Sequence, residues 1–149
     1  MTIVSVTPVR LVFEDSVHYG LHTPVSDAEW SSLAPDGGLV YLGDEHQVFG
    51  ISMFHELRCL NVIRQGIVQT LDGNVTISTQ LVQHCFNYIR QMILCRSNTM
   101  LTGFVQSSDA DTPHSFVGIQ QCNDWTEIYK EVERNQDEHQ RWITRERET

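Results

Sequence analysis

The sequence predicts an α+β fold that is mostly helical: an antiparallel helical pair, a third helix toward the C-terminus, and a few short strands near the N-terminus. Three observations predict it. Residues 52–71 and 79–95 contain no proline and place apolar residues at near-helical spacing. Two stretches inside those segments are copies of each other. The first 24 residues look extended, with β-branched residues concentrated in Thr2–Val6 and Val9–Phe13.

Taken in order, Pro8 reads as a breaker between the two extended stretches. Thr23–Gly38 carries Pro24, Pro35 and Gly37-Gly38 and reads as loop, with one helical turn at Asp27–Leu33. Leu39–Leu42 is a short strand. The first long helix spans Ser52–Leu71, tolerates Gly66 at a cost of ~1 kcal/mol, and ends at Asp72-Gly73. Ser78 or Thr79 caps the second helix, which runs to about Cys95. Leu81, Cys85, Tyr88, Ile89 and Met92 form its apolar stripe. Asp109–Pro113 reads as loop and Phe116–Ile119 as a strand. The third helix starts near Asp124, with Glu127 as the second member of a capping box, and buries Trp125, Ile128, Tyr129 and Val132. Beyond Asn135 the chain is nearly all charged apart from Trp142 and Ile143, which makes it a solvated helix extension or a docking arm.

The 149 residues suffice for one core. A net charge of −9 leaves no basic stripe to neutralise phosphates, so nucleic acid is not an expected partner. No apolar run approaches the ~20 residues that cross a bilayer. No leader follows Met1, so a full-length chain of this sequence is expected to be soluble and to start in the cytosol. Asn74-Val75-Thr76, an N-glycosylation sequon in a polar turn, points instead to a secretory lumen.

The repeat aligns residues 55–67 on residues 81–93 without gaps, and Cys, Asn, Ile, Arg, Gln and Ile recur at 59/85, 61/87, 63/89, 64/90, 65/91 and 67/93. The differences fall where chemistry would sit. His55 aligns with Leu81, and Arg58 with His84, so each copy keeps one histidine. Positions 55, 58 and 59, and 81, 84 and 85, share a helix face. Facing helices are a standard way to build a buried polar or metal site, and the residues offered are His55, Arg58, Cys59, His84 and Cys85. Arg64, Arg90, Asn61 and Asn87 recur in both copies and are expected to tie the helices to surrounding carbonyls. Cys59, Cys85, Cys95 and Cys122 allow three pairings, of which Cys59–Cys85 with Cys95–Cys122 is one. Thiolate ligation of a metal is the weaker alternative, since no Cys-x-x-Cys occurs. His18, His22 and His114 fall in loops or strand ends, and His46 and His139 are expected at the surface.

The paired motifs resemble the UstYa family of fungal natural-product tailoring proteins, whose hallmark is two copies of His-x-x-His-Cys followed by a Leu/Ile-Arg-Gln-like segment. Trp30-x-x-Leu33-x-Pro35-x-Gly37, Phe49-Gly-Ile-Ser-Met-Phe-His55, Cys95 and Cys122-Asn-Asp124-Trp125 resemble further elements of the family in the same order. The resemblance covers roughly residues 28–130 of a single domain spanning 1–149, with a charged extension over 135–149. It implies copper-dependent oxidases of small molecules with the motif histidines as ligands, and an N-terminal membrane anchor that does not occur in these residues. The family pattern places histidine at 55, 58, 81 and 84. Here Arg58 and Leu81 replace two of the four.

Arginine cannot ligate and stays protonated, so the expectation is a site without a cofactor. It would serve a non-redox ring closure, isomerisation or elimination. His55 and His84 would act as acid and base, and Arg58 as the stabiliser of a developing oxyanion, unless Arg58 merely pairs with Glu56 or another nearby acid. Phe54, Leu81 and Tyr88 would hold a hydrophobic substrate. One alternative is a copper oxidase, oxidative cyclase or halogenase with a reduced ligand set that includes His55 and His84. Another is a non-catalytic partner of an intact family member, in a homodimer or heterodimer.

Overall fold

The structure is a computed structural model describing residues 6–13, 16–99 and 118–148. The elements follow in the order β1 (Pro8–Phe13), α1 (Ser26–Ser32), a 3₁₀ turn (Pro35–Gly38), β2 (Leu39–Leu42), β3 (Gln47–Gly50), α2 (Ser52–Leu71), α3 (Thr79–Arg96), β4 (Gly118–Asn123) and α4 (Trp125–Glu148). The α+β, mostly helical class is as the sequence predicts. The expected strand at Thr2–Val6, the loop at Asp109–Pro113 and His114 lie outside the described residues, apart from Val6.

Pro8 opens β1; a proline at the first position of a strand removes no interior ladder bond. β1 pairs antiparallel with β4, Pro8 opposite Asn123 and Phe13 opposite Gly118. Of the strand expected at Phe116–Ile119, residues 116 and 117 lie outside the described residues, and the strand observed from Gly118 runs on to Asn123. β2 and β3 form a second antiparallel pair, Leu39 opposite Gly50 and Leu42 opposite Gln47. The turn between them uses Gly43 at φ +76° and His46 at φ +47°, closed by the His46 amide donating to the Gly43 carbonyl at 3.1 Å.

α2 has the bounds its sequence predicts, with Asp72 at the C-cap and Gly73 left-handed at φ +69°. Ser78 caps α3 by accepting the Leu81 amide through Oγ at 3.2 Å. Asp124 caps α4, accepting from the Thr126 amide at 3.0 Å. The expected capping box is half made. The Asp124 amide donates to the Thr7 carbonyl at 2.8 Å, and Glu127 pairs with Lys130 instead.

The core is small: Val40, Phe54 and Val132 are buried, with Ala34, Ile51, Met53, Leu57, Ile128 and Tyr129 packed around them. Three elements meet there, and polar side chains of α4 fix the junction. Asn135 accepts the Tyr41 amide at 2.7 Å and donates to the Tyr41 carbonyl at 2.8 Å. Gln136 donates to the carbonyls of Pro35 (3.1 Å) and Leu39 (2.9 Å), and the Tyr129 hydroxyl donates to the Leu33 carbonyl at 2.6 Å. In this way α4 supplies partners for backbone groups of the 3₁₀ turn and β2 that burial would otherwise strand. The α4 extension is a docked helix. His139 lies buried, contrary to the surface position expected for it, stacked on Tyr41 with centroids 3.4 Å apart, while Trp142 stacks on His46 at 4.4 Å.

Candidate functional site

The repeated segments lie on α2 and α3, which pack side by side. Gly66 permits the close approach: a Cβ there would stand 3.0 Å from Val82 Cγ2. Cys59 and Cys85, the identical cysteines of the two copies, are both buried. All four cysteines are free thiols in this structure, so neither bridge contemplated from the sequence is formed. The Cys59 thiol is pushed up to about 12, first by burial, then by its hydrogen bond to Cys85 and the Cys85 charge, while the Arg58 guanidinium works in the opposite direction.

One nitrogen each from His55 and His84 and the sulfur of Cys59 all lie within 4.8 Å of one another. Among the described residues this is the one group of three or more histidine, cysteine or acidic side chains drawn so close. His55 is one turn before Cys59 on α2, and His84 immediately precedes Cys85 on α3. The two imidazole centroids are 6.0 Å apart and nearly perpendicular, at 75°. Tyr88, one turn beyond His84, lies 4.2 Å from His55 and 6.4 Å from His84, ring centre to ring centre. Both histidines are exposed, and the sulfur between them is buried. The cluster is thus open on its imidazole side and closed on its thiol side.

The structure brings His55, His84 and Tyr88 together. Leu81 is exposed on the turn preceding Cys85. Phe54 is a correction. It is fully buried, edge-on to Tyr129 at 4.9 Å, and packed under Gly38, where an added Cβ would fall 2.1 Å from the Phe54 Cβ. It supports the start of α2 from the core and has no exposed surface to offer a substrate. Arg58 does not pair with Glu56, which bonds Arg96 at 3.0 Å. Its Nη1 donates to the Gly37 carbonyl at 3.4 Å. Gly37 adopts φ +72° in the 3₁₀ turn, so that turn sets where the guanidinium goes.

Cys59 is the residue that reading the sequence underrates. The signal for it is present: it stands four residues after His55, hence on the same face, and recurs as Cys85. The repeated Arg and Asn divide between the copies. Arg64 is buried and donates to Asn61 at 2.9 Å, to the Leu21 carbonyl at 3.0 Å and to Asp27, the structural role expected. Arg90 and Asn87 are exposed. His18 bonds Glu29 at 2.7 Å and holds that carboxyl below its ordinary range. His22 lies 3.9 Å from Asp72. Neither belongs to the cluster.

A family model described as "Mycotoxin biosynthesis protein UstYa" matches residues 2–140. The chain is 29% identical over 129 residues to a protein named UstYa family oxidase phomYb from Diaporthe leptostromiformis, covering 76% of this chain and 51% of the relative. It is 30% identical over 92 residues to one named oxidase ustYa from Aspergillus flavus, covering 60% and 43%. It is 29% identical over 82 residues to one named UstYa family oxidase VicYc from Bipolaris victoriae, covering 52% and 80%. The chain thus spans about half the length of the first two relatives. No solved structure matches it.

Proposed function

The chain belongs to the UstYa family of mycotoxin biosynthesis proteins, and on that premise we propose that it is an oxidative tailoring enzyme of fungal secondary metabolism acting on a hydrophobic small molecule. The observation that carries this reading is the cluster of His55, Cys59 and His84 within 4.8 Å. Two imidazoles and a thiol that gives up its proton on metal binding are a donor set that suits copper. Three donors replace what the motif comparison alone counts as a site reduced to two. His55, Cys59 and His84 would hold the ion, and copper when bound supplies one-electron redox chemistry.

The rest is the work of the protein's own side chains. Cys59 is buried, which keeps water from the sulfur side and leaves substrate to approach past the two exposed imidazoles. Tyr88 packs at 4.2 Å on His55 and limits the orientations that ring can take. Leu81, 46% exposed, offers apolar contact beside His84. Arg58, anchored through Gly37, adds a fixed positive charge that orients a carbonyl or carboxylate oxygen of the substrate. The same charge favours the thiolate of Cys59, partly offsetting burial.

Elemental analysis after reconstitution with copper tests the reading. About one copper per chain is expected, lost in each of His55→Ala, Cys59→Ala and His84→Ala, with turnover lost in parallel. Absence of stoichiometric copper, or turnover indifferent to all three changes, overturns it.

Arg58 favours a second reading. Among the described residues no acid neutralises it, and its charge is available to a substrate oxyanion. On that reading His55 and His84 exchange protons with the substrate while Arg58 stabilises the anion, giving ring closure or isomerisation without electron transfer. Full turnover by metal-stripped protein, abolished by Arg58→Ala, would select it.

A further inference from the structure

We propose that Asn74 is a site of N-linked glycosylation, and that the chain accordingly passes through a secretory lumen. Asn74-Val75-Thr76 is the one Asn-x-Ser/Thr triplet of the sequence, and the middle residue is not proline, as the transferase requires. The triplet sits in the connection between α2 and α3, after the left-handed Gly73. Asn74 is exposed. Its backbone amide closes the end of α2 by donating to the Gln69 carbonyl at 3.0 Å, but among the described residues its side-chain amide makes no hydrogen bond. A sugar on that nitrogen therefore displaces no contact of the folded state.

The connection is held by other groups. Gln69 Oε1 accepts from the Thr76 amide at 2.8 Å, the Thr76 hydroxyl at 3.0 Å and the Ile77 amide at 2.9 Å. The turn thus keeps its shape whether or not Asn74 is modified. The tip is also apolar where a monomer would be expected to be polar. Leu71 is 70% and Val75 63% exposed, and both line an open apolar cavity of about 330 Å³ with Ile67 and Ile77. A glycan rooted at Asn74 would stand beside this apolar surface. His55 lies in the first turn of α2 and Asn74 just past its last, about 30 Å along a helix of this length, so the glycan leaves His55 uncovered.

In the transfer, Asn74 Nδ2 forms a bond to C1 of the first sugar of a lipid-pyrophosphate-linked oligosaccharide. The C1–oxygen bond to the pyrophosphate breaks, the lipid pyrophosphate leaves with the electron pair, and the amide loses one proton. Nothing is oxidised or reduced; the host membrane supplies the lipid-linked donor and the host's oligosaccharide transferase catalyses the step.

The test is intact-mass measurement of the protein from a filamentous-fungal host, before and after peptide-N-glycosidase, with peptide mapping of residue 74. The expected result is a glycosidase-sensitive mass increment on Asn74, absent in both Asn74→Gln and Thr76→Ala and retained at least in part in Thr76→Ser. Recovery of Asn74 as the unmodified peptide from the wild-type chain overturns the proposal. So does an increment that survives Thr76→Ala.

Discussion

Nδ1 of His139 on α4 lies 3.0 Å from Nδ1 of His46 in the β2–β3 turn, across 93 residues of sequence. One ring must donate and the other accept. The arrangement holds while at most one carries a second proton, since two imidazoliums present no acceptor to each other. Tyr41 and Trp142 flank the pair by stacking. Asp44 and Glu45 neighbour His46 in the turn, and Glu138 and Arg141 neighbour His139 on α4.

The pair should make docking of α4 pH-dependent. His139 is held below its ordinary value of 6.5, by burial first and by the His46 charge second. A histidine with a lowered folded-state pKa is protonated more readily in the unfolded chain. Its contribution is therefore complete above the unfolded value and falls as pH drops through about 6.5. Urea midpoints measured from about pH 7.5 down to about pH 5 should fall in the wild type, and more shallowly in His139→Gln. Equal slopes would show that the pair does not couple to folding.

The two copies of the repeated arginine should differ sharply on substitution. Arg64→Ala removes a buried guanidinium that satisfies Asn61, the Leu21 carbonyl and Asp27, and should cost about 2 kcal/mol. Arg90→Ala, at an exposed position, should stay within about 0.5 kcal/mol. Chemical denaturation of the two variants side by side checks the contrast.

Gly38 and Gly43 share a left-handed backbone but not their surroundings. At Gly38, φ is +70° and an added Cβ would meet the Phe54 Cβ at 2.1 Å; at Gly43, φ is +76° and nothing lies within 4 Å. Gly43→Ala should cost about 1 kcal/mol from backbone strain alone. Gly38→Ala should cost about 3 kcal/mol or more, because the clash also displaces a core side chain and the start of α2. Thermal melts that rank the two the other way would contradict this account.

Cys59 and Cys85 are both buried and hydrogen-bonded to each other, yet only Cys59 belongs to the three-donor cluster. Copper retention should be lost in Cys59→Ala and kept in Cys85→Ala. Arg58→His should strengthen retention about tenfold, a gain of about 1.4 kcal/mol, by replacing a repelling cation with a donor. Competition against a calibrated chelator reads both effects.

Much of the helical frame was legible in the residues themselves. α2 could be bounded because it has no proline and closes on Asp72-Gly73, and α3 because Ser78 caps it and its apolar stripe has a clean period. β3 was not legible. All four of its residues are exposed, so no apolar alternation marks it as a strand. The length of α4 was legible only as one of two options, because its charged tail carries just two large apolar residues.

For the site, the repeat alone determined that His55 and His84 stand at complementary positions of two like helices. Local chemistry suffices for that, since a side chain four residues along a helix shares its face. Tertiary structure decided everything that depends on what packs against those faces. It drew the buried sulfur of Cys59 into the histidine cluster, and it took Phe54 out of any substrate contact by setting it under Gly38. It turned Arg58 toward the carbonyl of Gly37 and set His139 against His46. Each of these joins residues on different elements or exchanges water for protein. The free energy of such a contact resides in the neighbour supplied by the fold, which no local sequence pattern encodes.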